Sequence, residues 1–319
     1  MKRQEEKFDV KRVEGADGSL SLAVPKRKWL NLRRREAITA WLFLTPVLIG
    51  FFVFTAFSMV FSLYISFTDW NILSDPKWIG FDNYIQLFTK DIYFWDYLLN
   101  TLFYVVTLVP IVLVVSLGFA ILLNKKVKGL TPFYRACLYV PCVVSTVAIS
   151  VVWRWLLNYD AGVINGIIRL FGITNPPGWL TSEKYAKTAI VMMRVWQMSG
   201  YYMVLFLTGL QSIPDTVYEA AKIDGAGKWN QLLHITIPML RPTTFAITIL
   251  LVLEAFNIFE VVLVMTDGGL NTSSLMYYIY QLGFINYKMG YASALAWILF
   301  IIILGFTILR FALKKDETM

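Results

Sequence analysis

Between residues 212 and 238 the chain reads SIPDTVYEAAKIDGAGKWNQLLHITIP. Pro214 and Asp215 suit the first turn of a helix, where a missing N–H is no loss and a carboxylate meets the positive end of the helix dipole. Gly225-Ala226-Gly227 interrupts that helix. A second helical run from Lys228 carries the apolar residues Trp229, Leu232, Leu233 and Ile237, and Pro238 and Pro242 then redirect the chain. The expectation is a helix–turn–helix. Its charges balance, with Asp215, Glu219 and Asp224 against Lys222, Lys228 and Arg241, so nucleic-acid phosphate finds no cationic excess there. Ala220, Ala221 and Gly225 are small and suit close approach to another protein's groove.

This polar stretch lies between two apolar ones, near 186–211 and 243–266, and four more follow the same pattern near 38–67, 96–124, 133–157 and 291–312. Each is long enough to cross about 30 Å of hydrocarbon as a helix. Pro46, Pro110 and Pro141 fall inside spans, where bilayer helices tolerate them as kinks. Only 16% of the 319 residues are charged, against about a quarter in soluble domains. The fold class read from this pattern is all-α, a polytopic membrane protein with six transmembrane helices.

Lysine and arginine set the orientation. Residues 1–37, 125–135, 211–242 and the tail after 309 hold 21 of them, whereas 68–95, 158–187 and 267–290 hold 6. Both termini are therefore expected in the cytoplasm, with a basic tail over 1–37, a transmembrane body over 38–312, a cytoplasmic loop over 212–242 and a short tail over 313–319. Lys26–Lys28 and Arg33–Arg35 read as an anchor on anionic lipid rather than a nucleic-acid patch. The polar start and the long apolar stretch after it do not fit a cleavable signal.

Several chemistries are excluded. Cys137 and Cys142, five apart on a helix, do not share a face and read as core thiols. His234 is the single histidine, so no zinc cluster forms around it. No H-E-x-x-H, G-x-S-x-G or phosphate-cradling loop occurs, so the chain is not expected to be an enzyme or, by itself, an ATPase, and no cofactor is expected.

Glu219-Ala220-Ala221, then Gly225 after three residues, then Ile235-x-Ile237-Pro238 after nine more, is similar to the EAA loop of ABC-importer permeases, E-A-A-x3-G-x9-I-x-L-P; only Ile237 departs from it. Leu44-Thr-Pro46, Ser66-Phe-Thr-Asp-Trp70, Gly80-Phe-Asp-Asn-Tyr84, Thr266-Asp-Gly-Gly269 and Gly290-Tyr-Ala-Ser293 resemble the carbohydrate branch of that family, the relatives of maltose and glycerol-3-phosphate permeases. The chain lacks the extra N-terminal spans and large external insert of the maltose subunit. The resemblance implies the type I importer (MetI-like) fold in a bacterial or archaeal cytoplasmic membrane. It also implies a sugar or oligosaccharide substrate and three kinds of partner: a second homologous permease, two ATP-binding subunits and an extracytoplasmic solute-binding protein.

The resemblance assigns ATPase coupling to Glu219, Ala220, Ala221, Asp224, Gly225, Ile235 and Pro238, with Asp224 expected to cap or salt-link within the loop. Leu251, Glu254, Ala255 and Ile258 follow i, i+3, i+4, i+7 and so share a helical face. They align with sugar-lining positions of the maltose permease, as do Met198 and Tyr201, and Asn257 flanks them. Glu254, Asn257 and Tyr201 supply acceptors, donors and an aromatic plane of the kind a sugar needs. A competing reading pairs Glu254 with Arg194 as a structural bridge, and Phe256 and Phe259 read as packing. The rival function is an ion-coupled secondary carrier, which scattered intramembrane charges permit but which has no use for such a loop.

Overall fold

The computed structural model describes residues 11–14, 20–23, 29–124 and 131–316. Lys26–Lys28, residues 125–130 and the last residues of the expected tail, 317–319, lie outside the described residues. The chain divides into two units, Met1–Phe61 and Ser62–Met319.

In the first unit, β1 (Lys11–Glu14) pairs antiparallel with β2 (Leu20–Ala23), and α1 (Trp29–Gly50) passes through a π turn at Phe51–Ala56 into α2 (Phe57–Ser66), whose residues from Ser62 on are counted with the second unit. Trp41, Phe43 and Phe54 are exposed, as befits a helix whose solvent is lipid.

The second unit continues with β3 (Thr68–Asp69), β4 (Lys77–Trp78) and α3 (Asp82–Thr89), followed by α4 (Ile92–Asn124), α5 (Thr131–Val143), α6 (Thr146–Leu156) and α7 (Val163–Leu170). Then come α8 (Glu183–Gln211), α9 (Asp215–Ile223), α10 (Lys228–Gln231), a π turn at Leu232–Thr236 and α11 (Ile237–Met239). The chain ends with α12 (Arg241–Phe256), α13 (Glu260–Thr266), α14 (Leu275–Tyr280), a π turn at Gln281–Ile285 and α15 (Met289–Asp316). The fold is mostly helical, as expected.

Among the described residues, Glu36–Ser66, Ile92–Asn124, Glu183–Gln211 and Met289–Ala312 are each long and apolar enough to cross a bilayer. Two further candidates are helix pairs that pass the same test only when their two halves are taken together. Pro132–Val143 and Thr146–Leu156 meet at 99°, and Lys228–Met239 and Arg241–Phe256 at 65°. The sequence pattern predicted a continuous helix over 133–157 with a kink at Pro141. The actual break falls at Val144–Ser145, just after Pro141 has removed one backbone donor. Ser145 takes extended backbone angles there (φ −52°, ψ 131°) before α6 restarts. The expected span over 243–266 is likewise interrupted, because helix ends at Phe256 and resumes at Glu260.

α4 and α8 form the centre of this unit. Ala120, Ala186, Ala189, Ser116 and Ser199 are buried, and small side chains let membrane helices approach closely. Ser116 Oγ donates to the Ser199 carbonyl at 3.0 Å, a cross-helix bond of the kind worth about 0.6 kcal/mol in a bilayer. α5 crosses α8 at Gly200, where a Cβ would lie 1.8 Å from the Leu138 carbonyl oxygen. Arg194, Gln197 and Ser199 are the buried polar residues of α8, and Thr248 that of α12.

One end of the bundle is knitted by backbone-directed side chains. Asn83 Nδ2 donates to the carbonyls of Ser66 and Thr68, Ser66 and Tyr84 share a hydroxyl bond at 2.7 Å, and Phe67 packs among Trp78, Phe81 and Tyr84. A Cβ at Gly290 would sit 2.0 Å from the Thr68 oxygen. Asn100, Thr101 and Tyr104 of α4 bond to the 271–275 turn, and Lys187 at the start of α8 donates to Asn100. Tyr278 and Tyr291 both donate to Asp91 Oδ2 at 2.7 Å. Burial first, and then this bond to Asp91, push the Tyr278 phenol above its ordinary value. Because α8 begins at this end, its 29 residues, about 43 Å of helix, deliver the 212–240 loop to the other.

Gly200→Ala should lower the thermal midpoint of the detergent-solubilised protein markedly, since backbone cannot move aside for a methyl group. Gly118→Ala on α4, where nothing lies within 4 Å of the added Cβ, should leave it unchanged. Scanning fluorimetry of the two variants checks this.

Candidate functional site

The break between α5 and α6 opens onto a cavity of about 380 Å³. The last turn of α5 contributes Tyr139, Cys142 and Val143, and α6 contributes Thr146, its first residue. Arg194, Gln197, Met198, Tyr201 and Tyr202 line it from α8 and Glu254 from α12. Non-helical backbone at membrane depth is tolerated where it faces a cavity, and α6 begins with N–H groups that have no partner inside the helix.

Charge in this cavity is organised as a chain of bonds. Glu254 Oε1 accepts from Arg194 Nη2 at 2.8 Å, and Oε2 accepts from the Tyr202 hydroxyl at 2.9 Å. Arg194 Nη1 donates to Gln197 Oε1 at 2.7 Å, and Gln197 Nε2 donates to Thr146 Oγ1 at 3.2 Å. The network thus ties the break in span three to α8 and α12. The Arg194 side chain is 10% exposed and that of Glu254 42%. Removing one partner of a fully buried pair costs about 3–5 kcal/mol, and less here because Glu254 is partly solvated. The structural bridge between Arg194 and Glu254 is therefore present, and Glu254 still faces the cavity.

The structure brings Met198, Tyr201 and Glu254 together. Leu251, Ala255 and Ile258 instead join the buried core, so the apolar rungs beside Glu254 form a packing face against neighbouring helices. Ile258 also lies past the end of α12, so the i+7 rung is not helical. Asn257 is exposed and donates to the Leu253 carbonyl at the helix terminus. Phe256 is fully buried. The cysteines depart from expectation: Cys137 is exposed on α5, and Cys142 is half-buried where the last turn of α5 lines the cavity. Thr146, Gln197 and Tyr202 were not singled out as path residues. Arg194, Gln197 and Tyr201 at i, i+3 and i+7 carried a signal for this face, whereas Thr146 became legible only with the break.

The loop folds as a helix pair. Gly225 adopts φ +79°, a left-handed conformation in which L side chains are strained, and Ala226 N donates back to the Ala221 carbonyl at 2.8 Å. The π turn at Leu232–Thr236 precedes Pro238, whose ring would crowd the carbonyl four residues back. Tyr218 and Thr236 share a hydroxyl bond at 3.0 Å, and Gln231 Nε2 donates to the Ala226 carbonyl at 2.7 Å. Glu219, Ala220, Asp224 and Gly225 are exposed, Ala221 is half-buried, and Ile235 and Pro238 are half-buried on the inner side. Asp224 ends α9 through its backbone N–H to Ala220; among the described residues its side chain makes neither the cap nor the salt link expected of it. Ile223 at 87% and Trp229 at 69% exposed add apolar surface beside Glu219, the composition of a surface that another protein covers.

Residues 87–316 match the family model described as binding-protein-dependent transport system inner membrane component. The probable ABC transporter permease protein YesP of Bacillus subtilis is 35% identical over 283 residues, 87% of this chain and 91% of that one. The lactose transport system permease protein LacF of Rhizobium radiobacter is 32% identical, covering 90% and 97%. The trehalose/maltose transport system permease protein MalF of Thermococcus litoralis is 31% identical, covering 87% and 94%. The fold matches a chain of a bacterial ABC transporter that imports the acidic polysaccharide alginate, with TM-score 0.79 at 22% identity over 92% of this chain and 100% of that one.

Tyr218→Phe should loosen the helix pair by about 1 kcal/mol, one net hydrogen bond, without altering the spans. Faster amide exchange confined to 215–239 is the expected readout.

Proposed function

This chain belongs to the family of binding-protein-dependent transport system inner membrane components, a multi-pass permease subunit of an ABC importer, and from that premise we propose that it moves a sugar or oligosaccharide into the cell. The exposed Glu219-Ala220 face of α9, at the end of the bundle to which α8 leads, is the observation that carries the mechanism. A permease has no phosphate-binding loop of its own, so ATP must act through contact. Two ATP-binding subunits would each grip a loop of this kind, one on this chain and one on a second, homologous permease. An external solute-binding protein would deliver the cargo.

Glu219 would pair with a cation of the ATPase, while Ala220, Ala221 and Gly225 leave room for its cleft wall. Asp224 adds charge at the rim. Ile235 and Pro238 would hold the second helix to the bundle, so that displacement of the loop is passed on. The loop, over 212–242, would then be cytoplasmic, with tails 1–37 and 313–319 on the same side and 38–312 as the translocating body. The basic-residue asymmetry supports this orientation.

Met198, Tyr201 and Glu254 would line this chain's half of the solute path. Tyr201 is 41% exposed and offers a ring face and a hydroxyl, and Glu254 offers acceptor oxygens. Leu251, Ala255 and Ile258 would support that wall from behind, and Asn257 would serve the turn beyond it. ATP binding favours one packing of the helices, hydrolysis the other, and the solute is exposed to each side in turn.

Glu219→Lys or Gly225→Asp should release the ATPase on co-purification and cut ATP-driven uptake at least about tenfold, the loss expected when one contact of about 1.4 kcal/mol fails. Uptake that ignores vanadate and collapses with the proton gradient would instead identify an ion-coupled carrier.

A further inference from the structure

The cavity at the α5–α6 break holds two charged residues, Arg194 and Glu254, and they are paired with each other. Their exposure is unequal. Arg194 uses Nη2 on Glu254 and Nη1 on Gln197 and is almost covered, whereas the Glu254 side chain remains 42% exposed. What the cavity presents is thus a carboxylate edge, with the guanidinium behind it. The rest of the lining is hydroxyl, amide, aromatic and apolar. Tyr139 and Tyr201 have hydroxyls that make no hydrogen bond among the described residues, and the two residues are 37% and 41% exposed.

Building on the proposed solute path, we infer that this half of the path selects an uncharged polyhydroxylated solute and rejects saccharides bearing a carboxylate, sulfonate or phosphate. Neutral sugar hydroxyls donate to the Glu254 oxygens and exchange bonds with the tyrosines, and a sugar ring lies against an aromatic face. An anionic sugar meets the Glu254 carboxylate first, in a low-dielectric site where like charges repel strongly. It cannot reach Arg194 without breaking the ion pair. The pair therefore acts as a selectivity element against the wrong solute as well as a brace. Fold likeness does not decide this point, since a chain of the same fold belongs to an importer of an acidic polysaccharide.

The test uses the assembled permease–ATPase complex in detergent without its receptor, so that receptor selectivity does not enter. Saturation-transfer NMR is recorded with the methyl glycosides of glucose and galactose and with the matched glucuronate and galacturonate. The wild type should favour a neutral probe over its uronate by about tenfold or more, the scale of one buried polar group left without its partner. Glu254→Gln, which leaves Arg194 uncompensated, should reverse that order. The double substitution Arg194→Met with Glu254→Gln removes both charges and controls for folding; it should bind neutral and uronate probes alike. Equal or stronger uronate binding by the wild type, or an unchanged preference in Glu254→Gln, overturns the inference. Met198→Trp separates it from the reading beneath. If filling the cavity leaves the neutral signal intact, or if no neutral probe binds the wild type, the solute path itself is misplaced.

Discussion

Inside hydrocarbon an unpaired backbone N–H or C=O has no water to turn to, and this constraint shapes the molecule. It forces the spans into helices and makes every interruption expensive. The chain nevertheless breaks span three by 99° at Val144–Ser145. It does so where the freed backbone faces a cavity and where Gln197 reaches across to Thr146 at the restart. The same logic places Arg194. Its charge is admitted to the bundle because Glu254, Gln197 and, through Glu254, Tyr202 form a bonded set around it. Break, cavity and ion pair are three aspects of one solution to the problem of carrying polar groups at membrane depth.

Connectivity links that cavity to the loop. α8 runs from Tyr201 directly to Gln211 and the start of α9, about 15 Å of helix. α12 returns from Arg241 to Glu254, about 20 Å further along the chain. The helices that hold the two charged residues therefore emerge from the two ends of the same loop, and the bend of 65° between Lys228–Met239 and Arg241–Phe256 is the corner through which the second connection passes. In the proposed mechanism a push on α9 would reach both walls. In this reading, an ATPase that shifts the loop biases two packings of one bundle, with the Arg194–Glu254 pair at the seam between the helices that move.

Much of this was legible in the sequence. Apolar length gave the spans, and the spacing from Glu219 to Pro238 gave the family and the helix–turn–helix. Glycine announced the break at Gly225, which the structure makes a left-handed turn, and proline the redirection after Pro238. The breaks were not legible, because hydropathy averages Ser145 into the apolar residues around it. Leu251, Ala255 and Ile258 misled for a related reason: an apolar i, i+3, i+4, i+7 stripe marks a buried face, and only tertiary packing tells whether a core or a path covers it. Glu254 was the informative residue on that helix, since a carboxylate there needs a partner. The mutual fit of Ser66–Trp70, Gly80–Tyr84 and Gly290–Ser293 at one end of the bundle was invisible for a third reason: those segments are separate in sequence and meet through tertiary contacts of Phe67, Asn83, Tyr84 and Gly290.

Cys142 gives direct access to the central claim, that the α5–α6 break lines a path opened to each side in turn by ATP. Its sulfur lies in the cavity wall, bonded to the Tyr139 carbonyl, and with Cys137→Ser it is the sole thiol of the chain. In reconstituted transporter, a membrane-impermeant thiol reagent should modify Cys142 from one side without nucleotide and from the other with ATP and vanadate, and solute should protect it. Modification from the same side in both states, or none in either, would contradict the account.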